Sequence, residues 1–283
     1  MNQRDALRPI AVVTGAAGGI GRGCARLLGH SYDLLLTDRQ AVALRDLARQ
    51  LSDEGYRIRG VHPGDLCDAA LLGRLAADVA GERFALVHCA GLSPALAEWR
   101  DILTVNLVGT AMLLDVFEKH LRPGCVAILV ASAAGYRAPH LPAAEVLLTR
   151  PLAPDFLQGI GTIVEREGAA MPGGERGLAY MLSKRAVHLL AECRAVRWGR
   201  GGARILSVSP TLTLTAMGRQ EIAATPIAQQ FVDSAPMGRM AVPGDVAMAI
   251  AFLVSDQAAF ITGCDLRVDG GAFALTAHGA SPD

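Results

Sequence analysis

Two side chains with complementary acid–base chemistry stand four residues apart in the segment from Leu178 to Trp198. Tyr180 carries a phenol and Lys184 an ammonium group. The segment is rich in helix formers and repeats apolar residues at three- and four-residue intervals, which predicts one amphipathic helix. One helical turn would bring both groups to the same face, where the ammonium would lower the pKa of the phenol. Such a pair could exchange a proton with a reacting oxygen. In isolation, a packed tyrosine beside a solvated lysine is the alternative.

A glycine-rich turn near the N-terminus predicts a dinucleotide site. The β-branched run Ile10–Thr14 leads into Thr-Gly-Ala-Ala-Gly-Gly-Ile-Gly at residues 14–21, and the helical stretch Arg22–Leu28 follows. Glycines allow the backbone to approach a diphosphate closely, and the helix N-terminus offers free N–H groups. An ordinary tight turn with a helix cap is the alternative. The predicted cofactor-binding residues here are Gly15, Gly19, Ile20 and Gly21.

The second apolar run, Tyr32–Thr37, ends at Asp38. An acidic residue about 20 positions beyond the glycine turn accepts hydrogen bonds from the adenosine ribose hydroxyls and repels a 2′-phosphate. We therefore predict NAD as the cofactor, in preference to NADP. Arg39 could pair with a 2′-phosphate, which keeps NADP as the alternative. Asp38 could instead cap the predicted helix Ala41–Leu51.

Strand and helix patterns alternate along the whole chain. Repeated units of this length predict a parallel sheet with helices on both faces and ligands at the carboxyl ends of the strands. We expect a single α/β domain over residues 1–283, a Rossmann-type doubly wound sheet of about seven strands. The predicted strands are Ile10–Thr14, Tyr32–Thr37, Arg57–His62, Phe84–Cys89, Cys125–Ala131, Ala203–Ser209 and Cys264–Val268. A continuous helix is expected from about Glu98 to His120.

The pattern changes between a predicted strand that ends near Ser132 and the helix that carries Tyr180. Five prolines punctuate residues 136–176, where helical pieces fit at Ala143–Leu148 and Pro154–Arg166. Long insertions at a ligand-facing end commonly serve as lids. We predict a lid, with packing or the shaping of an oligomer interface as the alternative. Residues 276–283 are predicted to form a frayed tail.

Composition excludes several classes of function. Lysine plus arginine and aspartate plus glutamate number 27 each, without a basic stripe, which argues against nucleic-acid binding. Apolar runs are strand-sized, too short to span a bilayer. The six cysteines are far apart and lack Cys-x-x-Cys spacing, which predicts reduced thiols, no metal site and a cytoplasmic protein.

The ordered set of motifs resembles the short-chain dehydrogenase/reductase family, over residues 10–271. The matching features are Thr-Gly-x-x-x-Gly-x-Gly at residues 14–21, Asp38, Asp65-Leu66, Ala90-Gly91, Asn106, Ser132, Tyr180-x-x-x-Lys184 and Asp269-Gly270-Gly271. A short stretch from Gly91 to Asn106 and a long interval from Ser132 to Tyr180 are similar to the bacterial 3α-hydroxysteroid dehydrogenase/carbonyl reductase branch. One departure is Pro210-Thr211, where the family has Pro-Gly. Loss of this glycine is expected to alter how the backbone meets the nicotinamide.

The resemblance implies hydride transfer between a nicotinamide cofactor and a secondary alcohol or ketone, with a steroid or similar bulky alicyclic substrate. Tyr180 would be the general acid–base, Lys184 would lower its pKa and hold the nicotinamide ribose, and Ser132 would hydrogen-bond the substrate oxygen. Asn106 would support a proton relay behind Lys184. Besides the glycine turn, the implied cofactor contacts are Asp38, Arg39, Asp65, Leu66, Ala90, Gly91, Tyr180, Lys184, Pro210, Thr213 and Thr215.

Two other functions remain open at this level. One is a dehydrogenase of another cyclic alcohol, such as a terpenoid or dihydrodiol, and the other is a non-catalytic nucleotide-binding protein of the same fold, which Thr211 keeps in consideration. His88 and Cys89 are interpreted as packing residues because they lie inside a predicted buried strand. We expect a homo-oligomer, with a dimer favoured over a tetramer, and light scattering would distinguish the two.

Overall fold

Every residue of three strands, β1 (Ile10–Thr14), β4 (Phe84–His88) and β5 (Val126–Val130), is buried. The computed structural model describes residues 8–171, 173–224 and 236–278, and in it these strands lie at the centre of a seven-stranded sheet. Strands of a parallel sheet read as nearly continuous apolar runs because helices cover both faces. This explains why the runs were recognisable in the sequence.

The remaining strands are β2 (Asp33–Asp38), β3 (Ile58–Pro63), β6 (Arg204–Pro210) and β7 (Asp265–Val268). The α-helices are α1 (Gly19–Leu28), α2 (Ala41–Asp53), α3 (Ala69–Val79), α4 (Trp99–Leu103), α5 (Thr110–Phe117), α6 (Pro142–Leu148), α7 (Phe156–Gly168), α8 (Gly174–Arg200), α9 (Ala216–Ala224), α10 (Pro243–Val254) and α11 (Ala272–His278). A π-helix spans Thr104–Gly109, and 3-10 turns span Glu118–His120, Ala133–Arg137 and Asp256–Ala258.

All strand pairs are parallel, and the sheet order is β3-β2-β1-β4-β5-β6-β7. The order reverses between β1 and β4, where Val12 lies opposite Leu86. A crevice for ligands opens at the carboxyl ends of the strands next to such a reversal. The predicted doubly wound α/β fold is confirmed.

The two faces of the sheet belong to two apolar clusters. Ile10 and Val12 pack in the cluster that includes α4, α5, α7 and α8, whereas Ala11 and Val13 pack with α1, α2 and α10. Successive residues of a strand point to opposite faces, so β1 contributes to both clusters.

The predicted long helix from about Glu98 to His120 is confirmed in extent, but its middle is wound as a π-helix. The chain there runs α4, then the π-helix Thr104–Gly109, then α5. Asn106 lies inside the π-helix, and its amide oxygen accepts a hydrogen bond from Leu92 N at 2.7 Å while its Nδ2 donates to Leu92 O at 2.9 Å. A widened turn of this kind is common at functional sites, and here it directs a polar side chain at a neighbouring loop.

The two helices of the 136–176 insertion pack as part of the core. Phe156, Ile160 and Val164 of α7 are at most 1% exposed and belong to the same cluster as α8. Gly161 faces Trp99 of α4 so closely that a Cβ there would lie 2.6 Å from Trp99 Cη2. These contacts support the packing alternative for α6 and α7.

His88 forms a continuous hydrogen-bonded chain beneath the carboxyl ends of β1 and β4. Thr110 Oγ1 donates to the Asn106 carbonyl at 2.7 Å, so it accepts from His88 Nε2, also at 2.7 Å. His88 Nδ1 therefore accepts from Thr14 Oγ1 at 2.8 Å. This neutral tautomer satisfies every group, and burial lowers the pKa of His88 to about 3, with Lys184 acting in the same direction. The packing interpretation of His88 fits these contacts, and Cys89 beyond it borders the cavity described below.

All six cysteines are free thiols. In the three described ranges, no group of three histidine, cysteine, aspartate or glutamate side chains is arranged to hold a metal ion. None of the helices in those ranges combines the length and apolar character needed to cross a membrane. Helix α11 includes the first three residues of the segment predicted as a frayed tail, and residues 279–283 lie outside the described residues.

The contact between Gly161 and Trp99 yields a stability prediction. Gly161→Ala should lower the free energy of unfolding by about 1–3 kcal/mol because the added methyl group overpacks the indole ring. Gly199→Ala is the matched control, since a Cβ at this helical position meets nothing within 4 Å. Its helix propensity should raise stability by about 0.5–1 kcal/mol. Urea unfolding would measure both, and a stabilised Gly161→Ala variant would contradict the packing.

His88 yields a pH prediction. Its folded pKa of about 3 lies below the ordinary value of 6.5, so below pH 6.5 the unfolded chain binds a proton that the folded chain does not. Its contribution to stability should therefore fall by about 1.4 kcal/mol per pH unit as the pH decreases from about 6.5. Urea unfolding at pH 7 and pH 5 should show a shallower pH dependence for His88→Asn. His140→Asn, at a side chain 77% exposed, is the control. An unchanged slope in His88→Asn would refute the buried neutral imidazole.

Candidate active site

The glycine turn packs so closely against the end of β4 and the start of α1 that side chains cannot fit there. Gly15 has a φ of +61°, and a Cβ on it would lie 2.7 Å from Ala90 N at the end of β4. A Cβ on Gly21 would lie 2.2 Å from the Gly15 carbonyl, so helix α1 must pack directly on the turn. The first N–H groups of α1 have no intrahelical acceptor and face outward from the turn. Ile20, in this first turn, lines the adjoining cavity.

Thr215 meets the same turn from the other side. A Cβ on Gly19 would lie 2.6 Å from Thr215 Cγ2. Thr215 Oγ1 also accepts from Gly218 N at 3.0 Å and so caps α9. The tertiary structure thereby joins two predicted cofactor contacts that are nearly 200 residues apart in sequence.

Asp38, the last residue of β2, hydrogen-bonds the backbone of the glycine turn. Its Oδ2 accepts from Ala17 N at 3.0 Å, and its Oδ1 accepts from Gln40 N at 2.9 Å. The side chain therefore links the glycine turn to the segment that leads into α2. The alternative capping role is wrong, because the N-cap of α2 is Gln40 and this helix has no side-chain cap. Arg39 is exposed beside it.

Four other predicted cofactor contacts lie beyond the ends of β3 and β4. Asp65 Oδ1 accepts from Cys67 N at 2.8 Å within its turn, and Leu66 is buried beside Gly109. Ala90 N donates to Thr14 Oγ1 at 3.3 Å, and Gly91 reaches the cavity wall.

A cavity of about 710 Å³ opens at the carboxyl edge of the sheet. It brings together Ser132 from the end of β5, Tyr180 and Lys184 from α8, and Thr211 from the end of β6. Apolar side chains form much of the remaining wall. They include Leu92, Pro94, Leu212 and Met217.

Lys184 anchors this wall. It is 6% exposed, and its Nζ donates to the Val130 carbonyl at 3.0 Å. Burial lowers the pKa of Lys184 to about 8, while the neighbouring Glu221 carboxylate opposes that shift. The ammonium lies 5.8 Å from the centroid of the Tyr180 ring.

The predicted lowering of the Tyr180 pKa by Lys184 is wrong. Burial raises the pKa of Tyr180 above the usual phenol range, the charge of Glu221 adds to the increase, and Ser132 opposes it. Lys184 is not among the groups that shift the Tyr180 pKa, and its ammonium donates to the Val130 carbonyl. Tyr180 is therefore a neutral phenol.

Ser132 is the N-cap of the 3-10 turn Ala133–Arg137, and its Oγ accepts from Ala134 N at 3.1 Å. The Ser132 side chain also hydrogen-bonds Tyr180, which brings the hydroxyl and the phenol together at the cavity wall. Asn106 is 2% exposed, and its Nδ2 also contacts Ser183 Oγ at 3.2 Å. A Cβ on Gly91 would lie 3.2 Å from Asn106 Oδ1 and 3.5 Å from Lys184 Nζ, so both groups border one point of the backbone.

The segment after β6 keeps an ordinary backbone despite the loss of glycine. In the described part of the chain no residue other than glycine has a positive φ, so Thr211 is unstrained. Thr213 Oγ1 donates to the Thr211 carbonyl at 2.9 Å, and Thr213 pairs with Ala241 in a short bridge. Pro210, Thr211, Thr213 and Thr215 all line the cavity.

Three charged residues of the cavity wall were not identified from the sequence. Glu221 lies on α9, Arg137 ends the 3-10 turn, and Arg176 lies in the first turn of α8 paired with Glu98. Burial raises the pKa of Glu221, whereas Ser93 and Lys184 oppose that rise. None belongs to a motif. Arg176 could have been identified from the sequence, because helical spacing places it one turn before Tyr180 on the same helix.

Comparison with known proteins agrees with the motifs. The short chain dehydrogenase family model matches residues 9–144, and the enoyl-(acyl carrier protein) reductase model matches residues 146–272. Cis-4-hydroxycyclohexanecarboxylate dehydrogenase of Sinomonas cyclohexanicum is 33% identical, over 94% of this chain and 97% of its own. The 3-alpha-hydroxysteroid dehydrogenase/carbonyl reductase of Comamonas testosteroni is 31% identical, over 94% of this chain and 97% of its own.

A solved structure is also similar to this chain. The 3-alpha-hydroxysteroid dehydrogenase from Pseudomonas sp. B-0831, complexed with NADH, matches with a TM-score of 0.74 and 29% identity, over 96% of this chain and all of that one. The likeness to the hydroxysteroid dehydrogenase branch is thus confirmed. The chain belongs to the short-chain dehydrogenase/reductase family, whose members bind a nicotinamide cofactor, and is an oxidoreductase that acts on the CH–OH group of secondary alcohols.

Proposed function

We propose that this enzyme interconverts a bulky alicyclic secondary alcohol and its ketone with NAD. The observation that carries the proposal is the convergence of Ser132, Tyr180 and Lys184 on one cavity beside the glycine turn. A neutral phenol and a serine hydroxyl are both donors for a carbonyl oxygen. A non-catalytic binding protein would have no need of this grouping.

The residues at the glycine turn fit a dinucleotide. Glycine at positions 15 and 21 lets the turn pack directly against Ala90 and helix α1. The start of α1 then offers its free N–H groups to a diphosphate. We assign the diphosphate to Gly15, Gly19, Ile20 and Gly21, the adenosine to Asp38, Arg39, Asp65 and Leu66, and the nicotinamide half to Ala90, Gly91, Pro210, Thr213 and Thr215. When bound, the nicotinamide supplies or accepts the hydride.

Tyr180 acts as the proton donor in ketone reduction. Its raised pKa keeps the phenol protonated at neutral pH, so a proton is available as negative charge develops on the substrate oxygen. Ser132 donates a hydrogen bond to the same oxygen. Lys184, with a pKa of about 8, is mainly an ammonium at neutral pH. Its charge attracts the oxyanion, and its N–H groups can donate to the hydroxyls of the cofactor ribose. Asn106 borders the same point of the backbone as Lys184 and supports the relay that returns the proton to Tyr180.

Substrate class follows from the cavity wall and from the relatives. The apolar residues Leu92, Pro94 and Met217 suit a ring system such as that of a hydroxysteroid. A specific observation favours a second candidate, an alicyclic alcohol that carries a carboxylate, because Arg137 and Arg176 line the same cavity. A relative is named for an alcohol of that kind. A screen of ketosteroids against ketocycloalkane carboxylates would separate the two.

The two ends of the 136–176 insertion, at Arg137 and at Gly173 and Arg176, line the cavity. We therefore restrict the proposed lid role to these ends. We further propose a homodimer, in line with the exposed apolar side chains Met248 and Phe252 of α10 and Leu266 of β7.

The cofactor preference is tested by titration with NADH and with NADPH, followed by nicotinamide fluorescence. We expect NADH to bind at least about tenfold more tightly, equivalent to about 1.4 kcal/mol, because the Asp38 carboxylate repels a 2′-phosphate. Asp38→Asn removes the charge but keeps an acceptor for Ala17 N, so it should reduce the preference for NADH over NADPH. Tighter binding of NADPH would mean that Arg39 pairs with the 2′-phosphate, and it would refute NAD as the cofactor.

Tyr180→Phe tests the chemistry. The variant should lose turnover by about 10²-fold or more because it removes the proton donor. Its affinity for NADH should change less than about tenfold, since a phenol-to-phenyl change at one contact costs at most about one hydrogen bond. Tyr56→Phe, at a tyrosine that does not line the cavity, is the control for loss of a phenol. A Tyr180→Phe enzyme with most of the wild-type rate would refute the assignment.

A further inference from the structure

A buried polar network lies behind the cavity wall, one helical turn beyond Lys184. His188 of α8 is 2% exposed and continues the four-residue spacing of Tyr180 and Lys184. Its Nε2 lies 2.8 Å from Ser209 Oγ near the end of β6 and 3.5 Å from Asp265 Oδ1 on β7. One imidazole therefore joins α8 to two strands.

Asp265 extends the network to the loop that follows Ser132. Ser207 Oγ donates to its Oδ1, and Tyr136 Oη donates to its Oδ2 at 2.8 Å. The Tyr136 ring also lies against the imidazole, with 4.8 Å between ring centroids. Tyr136 belongs to the 3-10 turn that Ser132 caps, so the carboxylate connects that turn to β6.

The turn and the imidazole are in direct contact. A Cβ on Gly135 would lie 2.7 Å from His188 Cε1 and 2.9 Å from Arg185 N. The backbone of the turn can approach α8 this closely only at a glycine. The position of the His188 ring therefore determines how the turn is seated on the helix.

His188 is not part of a hydrolytic triad. Ser209 and Asp265 both approach Nε2, whereas Nδ1 is buried and has no hydrogen-bond partner among the described residues. An imidazolium would leave the Nδ1 hydrogen unpaired, so the ring is neutral with its hydrogen on Nε2. Burial, Arg185 and Lys184 lower the pKa of His188 and Asp265 raises it, the largest cause being burial. Arg267 faces the outer side of the Tyr136 ring.

We propose that His188 is a positioning residue that seats the Ser132 turn and the Pro210–Thr211 segment on helix α8. This inference rests on the proposed function, which needs Ser132 and the nicotinamide contact of Pro210–Thr211 in register with Tyr180. Ser209 directly precedes Pro210, and Ser132 directly precedes the turn that carries Gly135 and Tyr136. The contacts of His188 thus position Pro210 through Ser209 and position Ser132 through the turn that follows it. Both of these segments form part of the cavity wall.

Variants of His188 test the proposal through kinetics. His188→Leu keeps the volume but removes the hydrogen bonds, and His188→Gln restores a donor that reaches Ser209. In His188→Leu we expect kcat to fall about tenfold, the rate equivalent of one lost hydrogen bond. KM and the Kd for NADH should stay within about twofold, because no contact to either ligand is removed. His188→Gln should recover most of the rate, and Glu192→Gln, exposed on the same helix, is the control.

Hydrogen–deuterium exchange gives a readout that does not depend on turnover. In His188→Leu we expect faster exchange in peptides covering residues 131–138 and 207–213, with wild-type exchange in His188→Gln. If His188→Leu fails to fold, Ser209→Ala removes the same hydrogen bond from its other end and should give the same pattern.

Wild-type kcat and wild-type exchange in His188→Leu would overturn the proposal. A His188→Gln variant as slow as His188→Leu would also overturn it, since hydrogen bonding would then not be the cause. If the wild-type protein turns over no secondary alcohol, the proposed function fails, while the exchange data still decide whether His188 seats the two segments.

Discussion

The Lys184 ammonium is buried at the carboxyl end of the sheet and donates to the Val130 carbonyl. Burial of a charge is costly unless it finds acceptors, so α8 can pack on β5 only in the rotation and height that make this contact. That one register also determines where Tyr180 and His188 lie, because both are four residues away on the same helix. The apolar contacts of α8 also stabilise its packing on the sheet. They would allow small displacements of the helix, whereas the hydrogen bond of the buried ammonium would not.

Two neutral imidazoles extend this constraint into the sheet. His88 links Thr14 of β1 to Thr110 of α5, and His188 links α8 to Ser209 of β6. A polar network inside a core is stable only when its donors and acceptors are matched. In the His88 chain every group is matched, whereas His188 leaves Nδ1 unpaired in the described structure, which makes its protonation unfavourable. Both rings therefore tie helices to strand ends without adding charge beside Lys184.

The insertion before α8 shows how a long proline-rich segment can serve the core. Its helices α6 and α7 bury Leu148, Phe156 and Ile160 against the cluster that contains α8. Trp99 reaches α7 only because residue 161 is glycine. Among the residues of the segment that the structure describes, only those at its ends, Arg137, Gly173 and Arg176, face the cavity. Core packing of the helices thus holds the start of α8 near the substrate side while leaving two arginines at the wall.

The sequence by itself determined the fold class, the order of the strands along the chain and the candidate acid–base pair. The fold was readable because strands buried on both faces are continuous apolar runs, and the pair because helical spacing is local. Only the tertiary structure decided the electrostatics of the site. Lys184 reaches the Val130 carbonyl, Glu221 approaches from α9, and burial raises the pKa of Tyr180 where spacing alone had predicted a decrease. The π-helix at Asn106 and the His188–Asp265 contact likewise depend on residues brought together from distant parts of the chain, which no local pattern encodes.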